Sequence, residues 1–370
     1  MKKKLIIAVN SNWNIYNYRT DLIHKLSYKF KIYILSPKDN FLKKISNKID
    51  FIHLPVVLRP KSLNPFMNLI SFIHFFIQIN LIRPNVFISY TVKPNIFGVL
   101  SLLFLNTKII INITGLGSIF LNKKLNFYKK LILLIYKSLN FKISFITVQN
   151  KFDYRFFSIL KIFDKKKIIL IPGSGVNTLH FHSDRTVANN DILNVLFMSR
   201  LTEEKGIHLF LKAIDIINIK LEDKFNFIIA GNYDSNAVHI KQLIQNYTSK
   251  YNNLSFFAHS DPKALIENSD IFVLPSLREG ASRSLLEAMS MRRLVIGSSK
   301  PGIKNLIQDK YNGFLMHEYS EKSIVNILLN ILKMNNDEIF FLTENARLFV
   351  KKNYTIQKVN NMLLDIILRK

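Results

Sequence analysis

The chain has 370 residues, of which 48% are hydrophobic and 21% charged, with no cysteine and a formal net charge of +27. This composition excludes an intrinsically disordered chain, and the length suffices for two domains of ordinary size. The lack of cysteine excludes a disulfide framework and a thiolate metal site.

The first half alternates short apolar strands with helical stretches, which predicts a parallel sheet with helices on both faces. The start, residues 1–10, is too short in its apolar part for a secretory signal and is expected to form the first strand. The other predicted elements are strands at 31–36, 50–54, 86–90, 107–113 and 145–150, and helices at 18–28, 65–81 and 95–105.

Two long apolar runs occur in this half, at 66–82 and 131–148, and polar or charged side chains such as Asn68, His74 and Lys137 interrupt them. A membrane-spanning helix requires about 20 largely apolar residues. We therefore expect amphipathic or core elements here rather than spanning segments.

Lysine and arginine are concentrated in the first half. Residues 1–180 hold 28 Lys and Arg against 5 Asp and Glu, whereas residues 181–370 hold 24 against 20. Codon bias would act on both halves alike, so the asymmetry indicates a polyanionic partner of the first half. We expect an anionic membrane surface and no nucleic acid, because no nucleic-acid-binding motif is present.

The predicted membrane contact is a basic helical segment between residues 121 and 142. Its lysines surround an apolar stripe, as in a helix that lies on a membrane. An ordinary surface helix that packs its apolar side on the domain is an equally weighted alternative. The lysines in question are Lys123, Lys124, Lys129, Lys130 and Lys137.

A polar stretch at 180–191 interrupts the pattern, and the alternation then restarts. We predict a first domain over 1–182, a second over 192–352, and a C-terminal helix over 353–370. The second half contains strands at 194–199, 226–231, 254–257, 270–276 and 293–297, and helices at 206–219, 237–247 and 262–268. Ligands of such Rossmann-like folds bind at the carboxyl ends of the strands, here expected in a cleft between the domains.

The most informative motif follows the strand at 270–276. Glu279 lies in the loop after this strand, and Glu287 lies about one turn into the next helix, for which Ser282 is the predicted N-cap. The N–H groups at the helix start are expected to face outward, where phosphate binds. Two carboxylates beside a diphosphate suit a nucleotide-sugar, whose sugar and ribose both offer hydroxyls. The predicted donor-binding residues are Glu287, Ser284, Leu285 and Gly280.

This segment resembles the E-x7-E motif of retaining glycosyltransferases of family 4, which adopt the α/β fold called GT-B, with two Rossmann-like domains whose parallel sheets face each other across a cleft. The resemblance implies that Glu279 contacts the transferred sugar and Glu287 the ribose. It also implies that the C-terminal helix over 353–370 packs back toward the first domain. The segment 199–207 is similar to the family's Arg and Lys on the donor diphosphate, which map onto Arg200 and Lys205. Two fixed cations stabilise the negative charge of a departing nucleoside diphosphate.

Motifs of the first half resemble bacterial enzymes that extend sugars on undecaprenyl diphosphate, such as N-acetylgalactosaminyltransferases. The motifs are 12–19, 62–66, 90–98 and 112–118. The chain departs from the wider family in lacking its Gly-rich first loop and the His after its fourth strand, and we expect Lys93 to meet an acceptor phosphate instead. Two glycines are expected to let the backbone approach the cleft closely, with a tight turn as an equal alternative. The predicted acceptor residues are Asn12, Lys93, Gly115 and Gly117.

We therefore predict a retaining glycosyltransferase that is peripherally bound to the inner face of the cytoplasmic membrane. It would move a hexose or N-acetylhexosamine from a nucleotide-sugar, expected to be UDP-linked, to a lipid-linked saccharide in surface polysaccharide, lipopolysaccharide or glycan biosynthesis. Arg200, Lys205 and Glu279 are the predicted catalytic residues, and no metal cofactor is expected because the sequence has no Asp-x-Asp motif. Two alternatives stay open: a nucleotide-sugar 2-epimerase of the same fold, and a non-catalytic basic protein that binds lipid or nucleic acid.

Overall fold

The computed structural model describes residues 2–60, 62–115, 126–187, 192–234, 237–258 and 260–369. The chain forms two compact units, one made of Met1–Ser174 and Gln357–Lys370 and the other of Gly175–Ile356. Each unit is a parallel sheet covered by helices, which confirms the predicted α/β fold class.

The described residues of the first unit form a seven-stranded sheet in the order β3-β2-β1-β4-β5-β6-β7. The strands are short apolar runs, and the central ones are buried on both faces, as parallel strands require. The strands are β1 (Lys3–Ala8), β2 (Phe30–Ser36), β3 (Ile52–Pro55), β4 (Val86–Tyr90), β5 (Lys108–Ile113), β6 (Phe145–Val148) and β7 (Ile168–Leu170).

Helices cover both faces of this sheet. Alternate strand residues point to opposite sides, and two separate apolar clusters result. One face carries α4 (Pro65–Ile82), α5 (Val92–Ser101), α6 (Asn126–Leu139) and α7 (Lys151–Ile159). The other face carries α1 (Asn12–Tyr18), α2 (Thr20–Ser27), α3 (Phe41–Ser46) and the C-terminal helix of the chain, Ile356–Leu368.

The second unit contains a six-stranded sheet in the order β10-β9-β8-β11-β12-β13. Its strands are β8 (Leu193–Met198), β9 (Phe225–Ala230), β10 (Leu254–Phe257), β11 (Ile271–Leu274), β12 (Leu294–Ser298) and β13 (Phe314–Met316). Its helices are α8 (Ile207–Leu221), α9 (Val238–Lys250), α10 (Pro262–Glu267), α11 (Arg283–Ser290), α12 (Glu321–Ile331) and α13 (Asn336–Asn353), and the C-terminal helix Ile356–Leu368 is α14.

The junction between the units lies earlier than the sequence predicts. Val176 accepts a backbone hydrogen bond from Ile356 and donates one to Tyr354, at 3.0 and 2.8 Å. Phe181 is buried in the apolar cluster of the second unit. These contacts tie residues from Gly175 onward to the second unit. The polar stretch 180–191 separates the two domains in the sequence-based prediction, but its Arg185 donates to the backbone of Glu267 and Ser269 of the second unit at 2.9 Å.

Helix α4 differs from the expectation of an amphipathic or core element. Only Ser71, Phe75 and Ile79 of its 18 residues are buried. Among the described residues, it is the one helix whose length and hydropathy match those of a membrane-spanning segment. Seven of its residues are exposed, so the expected core position applies to one side of the helix only.

The C-terminal helix α14 completes one layer of the first unit. Val359, Leu363 and Ile366 lie in the apolar cluster on its sheet. Lys108 of β5 donates to the backbone of Ile367 at 3.1 Å. The helix therefore belongs to the first unit, although the whole of the second unit, Gly175–Ile356, lies between them in sequence.

We expect Leu363→Ala to destabilise the first unit by about 2–5 kcal/mol, because it leaves a cavity under α14. The single tryptophan, Trp13, lies in α1 of the same unit, so its fluorescence reports the unfolding of that unit in urea. The matched control is Leu368→Ala at an exposed position of the same helix. Equal unfolding midpoints for the two variants would contradict the packing role of α14.

Candidate active site

The candidate site lies at β8 and β11, the two neighbouring strands in the middle of the second unit's sheet. From β8 the strand order runs to β9 and β10 in one direction, and from β11 it runs to β12 and β13 in the other. Open parallel sheets bind ligands at such a switch point, at the carboxyl ends of the strands. The loops after β8 and β11 carry Lys205 and Glu279, which the sequence analysis singles out.

Lys205 and Glu279 form an ion pair. The distance from Lys205 Nζ to Glu279 Oε1 is 2.5 Å, and each side chain is only 13% exposed. A charged hydrogen bond of this kind is stronger than a neutral one and is weakly screened in a partly dry environment. The structure thus brings together two predicted catalytic residues that are 74 positions apart in sequence.

Backbone contacts hold the two loops against each other. Leu277 donates its backbone N–H to the carbonyl of Glu204 at 2.8 Å. Gly206, at φ +77°, lies so close to the end of β11 that a Cβ there would be 2.2 Å from the carbonyl oxygen of Pro275. A side chain at this position would therefore both strain the backbone and separate the loops.

A third loop, after β12, supports Glu279 from its other side. The backbone N–H of Glu279 donates to the carbonyl of Pro301 at 3.0 Å. Gly302 has φ +90°, and a Cβ there would be 2.2 Å from the carbonyl oxygen of Glu279. This close contact makes the segment after β12 a backbone support for the loop that carries Glu279.

Helix α11 begins beside Glu279, as predicted. Ser282 is its N-cap, with extended backbone angles, and its Oγ accepts from the N–H of Leu285 at 3.5 Å. The prediction of an outward-facing N–H for Leu285 is therefore wrong, because the cap uses it. The first two N–H groups of a helix, here those of Arg283 and Ser284, have no intrahelical acceptor. Gly280 lies in the loop just before this helix start.

Glu287 is buried one turn into α11. Its Oε1 accepts from Arg283 Nε at 2.6 Å. Burial raises the pKa of Glu287 to about 7, against the opposing effect of the Arg283 charge. Sequence reasoning missed Arg283, although its position four residues before Glu287 on one helix was a readable signal.

Arg200 lies in the loop after β8 with an exposed side chain. Among the described residues its guanidinium has no hydrogen-bond or ion-pair partner, while its carbonyl oxygen accepts from Thr202 N–H at 3.0 Å. Arg200 is therefore a cation at the rim of the switch point that is available to an anionic ligand.

Two of the predicted acceptor residues of the first unit, Asn12 and Gly115, shape its own loops. Asn12 is buried, and its side chain donates to the carbonyl of Pro37 at 2.8 Å and accepts from Ser36 Oγ at 2.7 Å. Gly115 has φ +127°, which fits the tight-turn alternative, and Gly117 lies outside the described residues.

Lys93 is fully engaged within the first unit. Its ammonium donates to the carbonyls of Arg59 and Ser62 and to Asn68 Oδ1, at 2.7, 2.6 and 2.7 Å. Burial lowers the pKa of Lys93. An ammonium has three N–H donors, so the expected contact with an acceptor phosphate is revised: Lys93 fastens the segment before α4 to α5.

Lys129, Lys130 and Lys137 lie on α6, and Lys123 and Lys124 lie outside the described residues. In the part of the chain that the structure describes, no three His, Asp or Glu side chains group closely enough to hold a metal ion. A groove of about 1060 Å³ is lined by β13, α12 and α13 and includes Asp309 and His317, but it contains none of the predicted site residues.

Comparisons with known proteins agree with the fold. Residues 181–348 match the model of the family described as glycosyl transferases group 1. Over 344 residues the chain is 27% identical to the N,N'-diacetylbacillosaminyl-diphospho-undecaprenol alpha-1,3-N-acetylgalactosaminyltransferase of Campylobacter jejuni, and the match covers 87% of this chain and 88% of that protein.

Solved structures share the fold of the whole chain. The Anabaena protein HepE, in complex with UDP and glucose, superposes with a TM-score of 0.80 at 13% identity, over 98% of each chain. Sucrose-phosphate synthase from Thermosynechococcus elongatus superposes with a TM-score of 0.78 at 16% identity, over 98% of this chain and 97% of the other. Both are GT-B glycosyltransferases.

The raised pKa of Glu287 leads to a test of its burial. Folding raises this pKa from 4.5 to about 7, so the folded chain binds the proton more tightly than the unfolded chain. The contribution of Glu287 to stability is therefore greatest below about pH 4.5 and is lost as the pH rises to about 7. We expect the stability of Glu287→Gln relative to the unsubstituted protein to increase between pH 5 and pH 7, as measured by urea unfolding.

The matched control for this measurement is Glu318→Gln, which changes an exposed carboxylate in the same unit. A stability difference for Glu287→Gln that does not vary with pH would show that Glu287 is not desolvated.

Proposed function

We propose that this chain, a glycosyltransferase of the GT-B fold, transfers a sugar from a UDP-linked donor to a lipid-linked saccharide, with retention of the α configuration. The observation that carries the proposal is the ion pair of Lys205 and Glu279 at the switch point of the second sheet, beside the start of α11. This region offers a cation, a carboxylate and helix N–H groups close together. A sugar diphosphate requires these groups.

The donor class is supported by the neighbour HepE, whose structure holds UDP and glucose. In the proposed complex the donor diphosphate lies at the start of α11 and attracts Lys205 and Arg200. Glu279, released from Lys205, then accepts hydrogen bonds from hydroxyls of the transferred sugar. Glu287 binds the ribose hydroxyls.

The lipid-linked acceptor is supported by the Campylobacter relative, whose name describes a sugar carried on diphospho-undecaprenol. In the proposed reaction the bond between the anomeric carbon and the diphosphate oxygen breaks, and that oxygen takes the proton of the acceptor hydroxyl. The hydroxyl oxygen bonds to the anomeric carbon on the same face. Lys205 and Arg200 stabilise the charge that builds on the leaving diphosphate.

The experiment that tests the proposal is a donor screen with purified protein. A panel of UDP-sugars and other nucleotide-sugars is combined with a saccharide on a short prenyl diphosphate, and the lipid product is identified by mass and by the configuration of the new linkage. We expect one UDP-sugar to give an α-linked product. Conversion of the donor to an epimer without any acceptor would instead identify a 2-epimerase, and no turnover with any donor would contradict the proposal.

We expect Glu279→Gln and Lys205→Met each to lower the turnover number by at least ~100-fold, the cost of losing one charged contact in the transition state. Glu287→Gln should act mainly on donor affinity, because a ribose contact is made equally in the ground and transition states. Turnover is measured at saturating donor. Matched controls are Lys212→Met and Glu318→Gln, which remove exposed charges of the same kinds from the same unit. Near-normal turnover of Glu279→Gln would exclude its role.

We also propose that no metal ion takes part, because Lys205, Arg200 and the start of α11 supply the positive charge that a metal would otherwise bring to the diphosphate. Turnover should therefore persist in excess EDTA. A loss of activity that magnesium or manganese restores would contradict a metal-free reaction.

A further inference from the structure

The outward face of α4 is predominantly apolar. All of the exposed residues in this helix are hydrophobic or proline, and six of them form one stripe at helical spacing, with 44–72% of each side chain exposed. With ~150–250 Å² for a large side chain, the stripe amounts to roughly 500 Å², at the upper end of what a typical monomer exposes in one patch. The six residues are Phe66, Leu69, Ile73, Phe76, Ile77 and Leu81.

Helix α6 adds apolar and basic groups on the same side of the first unit. Helices α4, α5 and α6 lie next to one another on one face of the sheet. The exposed side of α6 combines apolar residues, which are Phe127, Leu131 and Leu134, with Lys130 and Lys137. Phe104, in the segment that follows α5, is 97% exposed.

The sequence that forms this layer contains no acidic residue. From position 51 to position 152 there is no Asp or Glu, while 12 Lys and Arg occur. In contrast, the second half of the chain is almost balanced, with 24 basic and 20 acidic residues over 181–370. The apolar stripe therefore lies in a region whose charges all have one sign, and that region attracts anions.

From these observations we infer that α4 and α6 form a lipid-docking surface, with the apolar stripe inserted at the boundary of headgroups and acyl chains and the lysines on anionic headgroups. An apolar helix face beside basic residues is the pattern of an element that lies in the membrane interface. The sequence predicts membrane contact through the lysines of α6, and the structure assigns the insertion to α4.

The helix is held on the unit and lies along the membrane rather than across it. Phe75 and Ile79 are part of the apolar cluster on the sheet, and Asn80 donates to the carbonyl of Ser101 at 3.3 Å. The strands before and after α4, β3 and β4, belong to the same sheet. A spanning orientation would expose this core and separate the strands, whereas an interfacial orientation leaves both intact.

A second copy of the chain is a less suitable occupant of the stripe. Two copies would bring together two surfaces that carry only basic charge, and such like-charge contacts oppose association. An anionic leaflet removes this repulsion and provides a phase for the apolar side chains. Lipid binding itself requires neither donor nor acceptor. The inference therefore rests on the proposed function only for the purpose of docking, which is to bring the enzyme to a lipid-linked acceptor.

The test places a single tryptophan on the stripe. In a Trp13→Phe background, Phe76→Trp reports the environment of α4 in the full chain. We expect its fluorescence to shift to shorter wavelength with vesicles that contain phosphatidylglycerol, and to be quenched when the acyl chains are brominated. The matched control is Phe340→Trp in the same background, an exposed aromatic position in the second unit, which should show neither effect.

A second experiment measures the contribution of insertion to affinity. Ile73→Glu combined with Ile77→Glu should lower partitioning onto the same vesicles by at least ~10-fold, since two apolar side chains can no longer be buried. The control pair, Ile219→Glu with Val238→Glu, adds the same charge at exposed apolar positions of the second unit. High salt should weaken binding, because it shortens the Debye length from ~8 Å at 0.15 M to ~3 Å at 1 M.

Three results would overturn the inference. The first is an equal loss of binding in the two double variants. The second is a Phe76→Trp protein that binds vesicles but whose fluorescence is not quenched by brominated lipid. The third is a concentration-dependent blue shift without lipid, which would identify a second copy as the occupant. None of them bears on sugar transfer, because the donor screen on a short soluble acceptor analogue measures that separately.

Discussion

The ion pair of Lys205 and Glu279 is the interaction on which the arrangement of the site depends. An isolated buried charge is costly, and removing one partner leaves the other uncompensated. Each residue is therefore held in place by the other until an anion competes for Lys205. One loop follows β8 and the other follows β11. Their contact therefore also joins the carboxyl ends of the two central strands, from which the strand order runs in opposite directions. Lys205 and Glu279 thus neutralise each other's charge in this structure.

Glycines make this contact possible. Gly206 and Gly302 both have positive φ, and at both a Cβ would be 2.2 Å from a backbone oxygen in the loop that follows β11. The loops after β8 and β12 thus approach the loop of Glu279 from two sides, at distances that no other residue allows. The precision of the site comes from backbone packing, and the charged side chains are added to a rigid frame.

The sequence predicts those features that local patterns encode. Strand β11, the N-cap at Ser282 and the helix that carries Glu287 are readable because each depends on neighbours within a few residues. The engagement of Lys93 is not, because two of its acceptors, the carbonyls of Arg59 and Ser62, depend on how a distant loop folds over α5, and the third lies in α4. The exposed face of α4 is not readable either: large apolar residues occur on both its covered and its open side, so periodicity cannot tell the two sides apart. The junction at Gly175 was missed because polar residues of the second unit's surface resemble a linker.

The apolar stripe of α4 and the acid-free sequence around it have opposite effects on self-association. An exposed apolar surface of this size promotes self-association in water, and a uniform positive charge opposes it between copies. In the proposed lipid-docked state the same charge draws the first unit toward an anionic leaflet, where the stripe becomes buried. The second half, with 24 basic and 20 acidic residues, has no comparable excess. The excess charge therefore lies in the first half, which contains the proposed lipid-docking surface, whereas Lys205 and Glu279 lie in the second half.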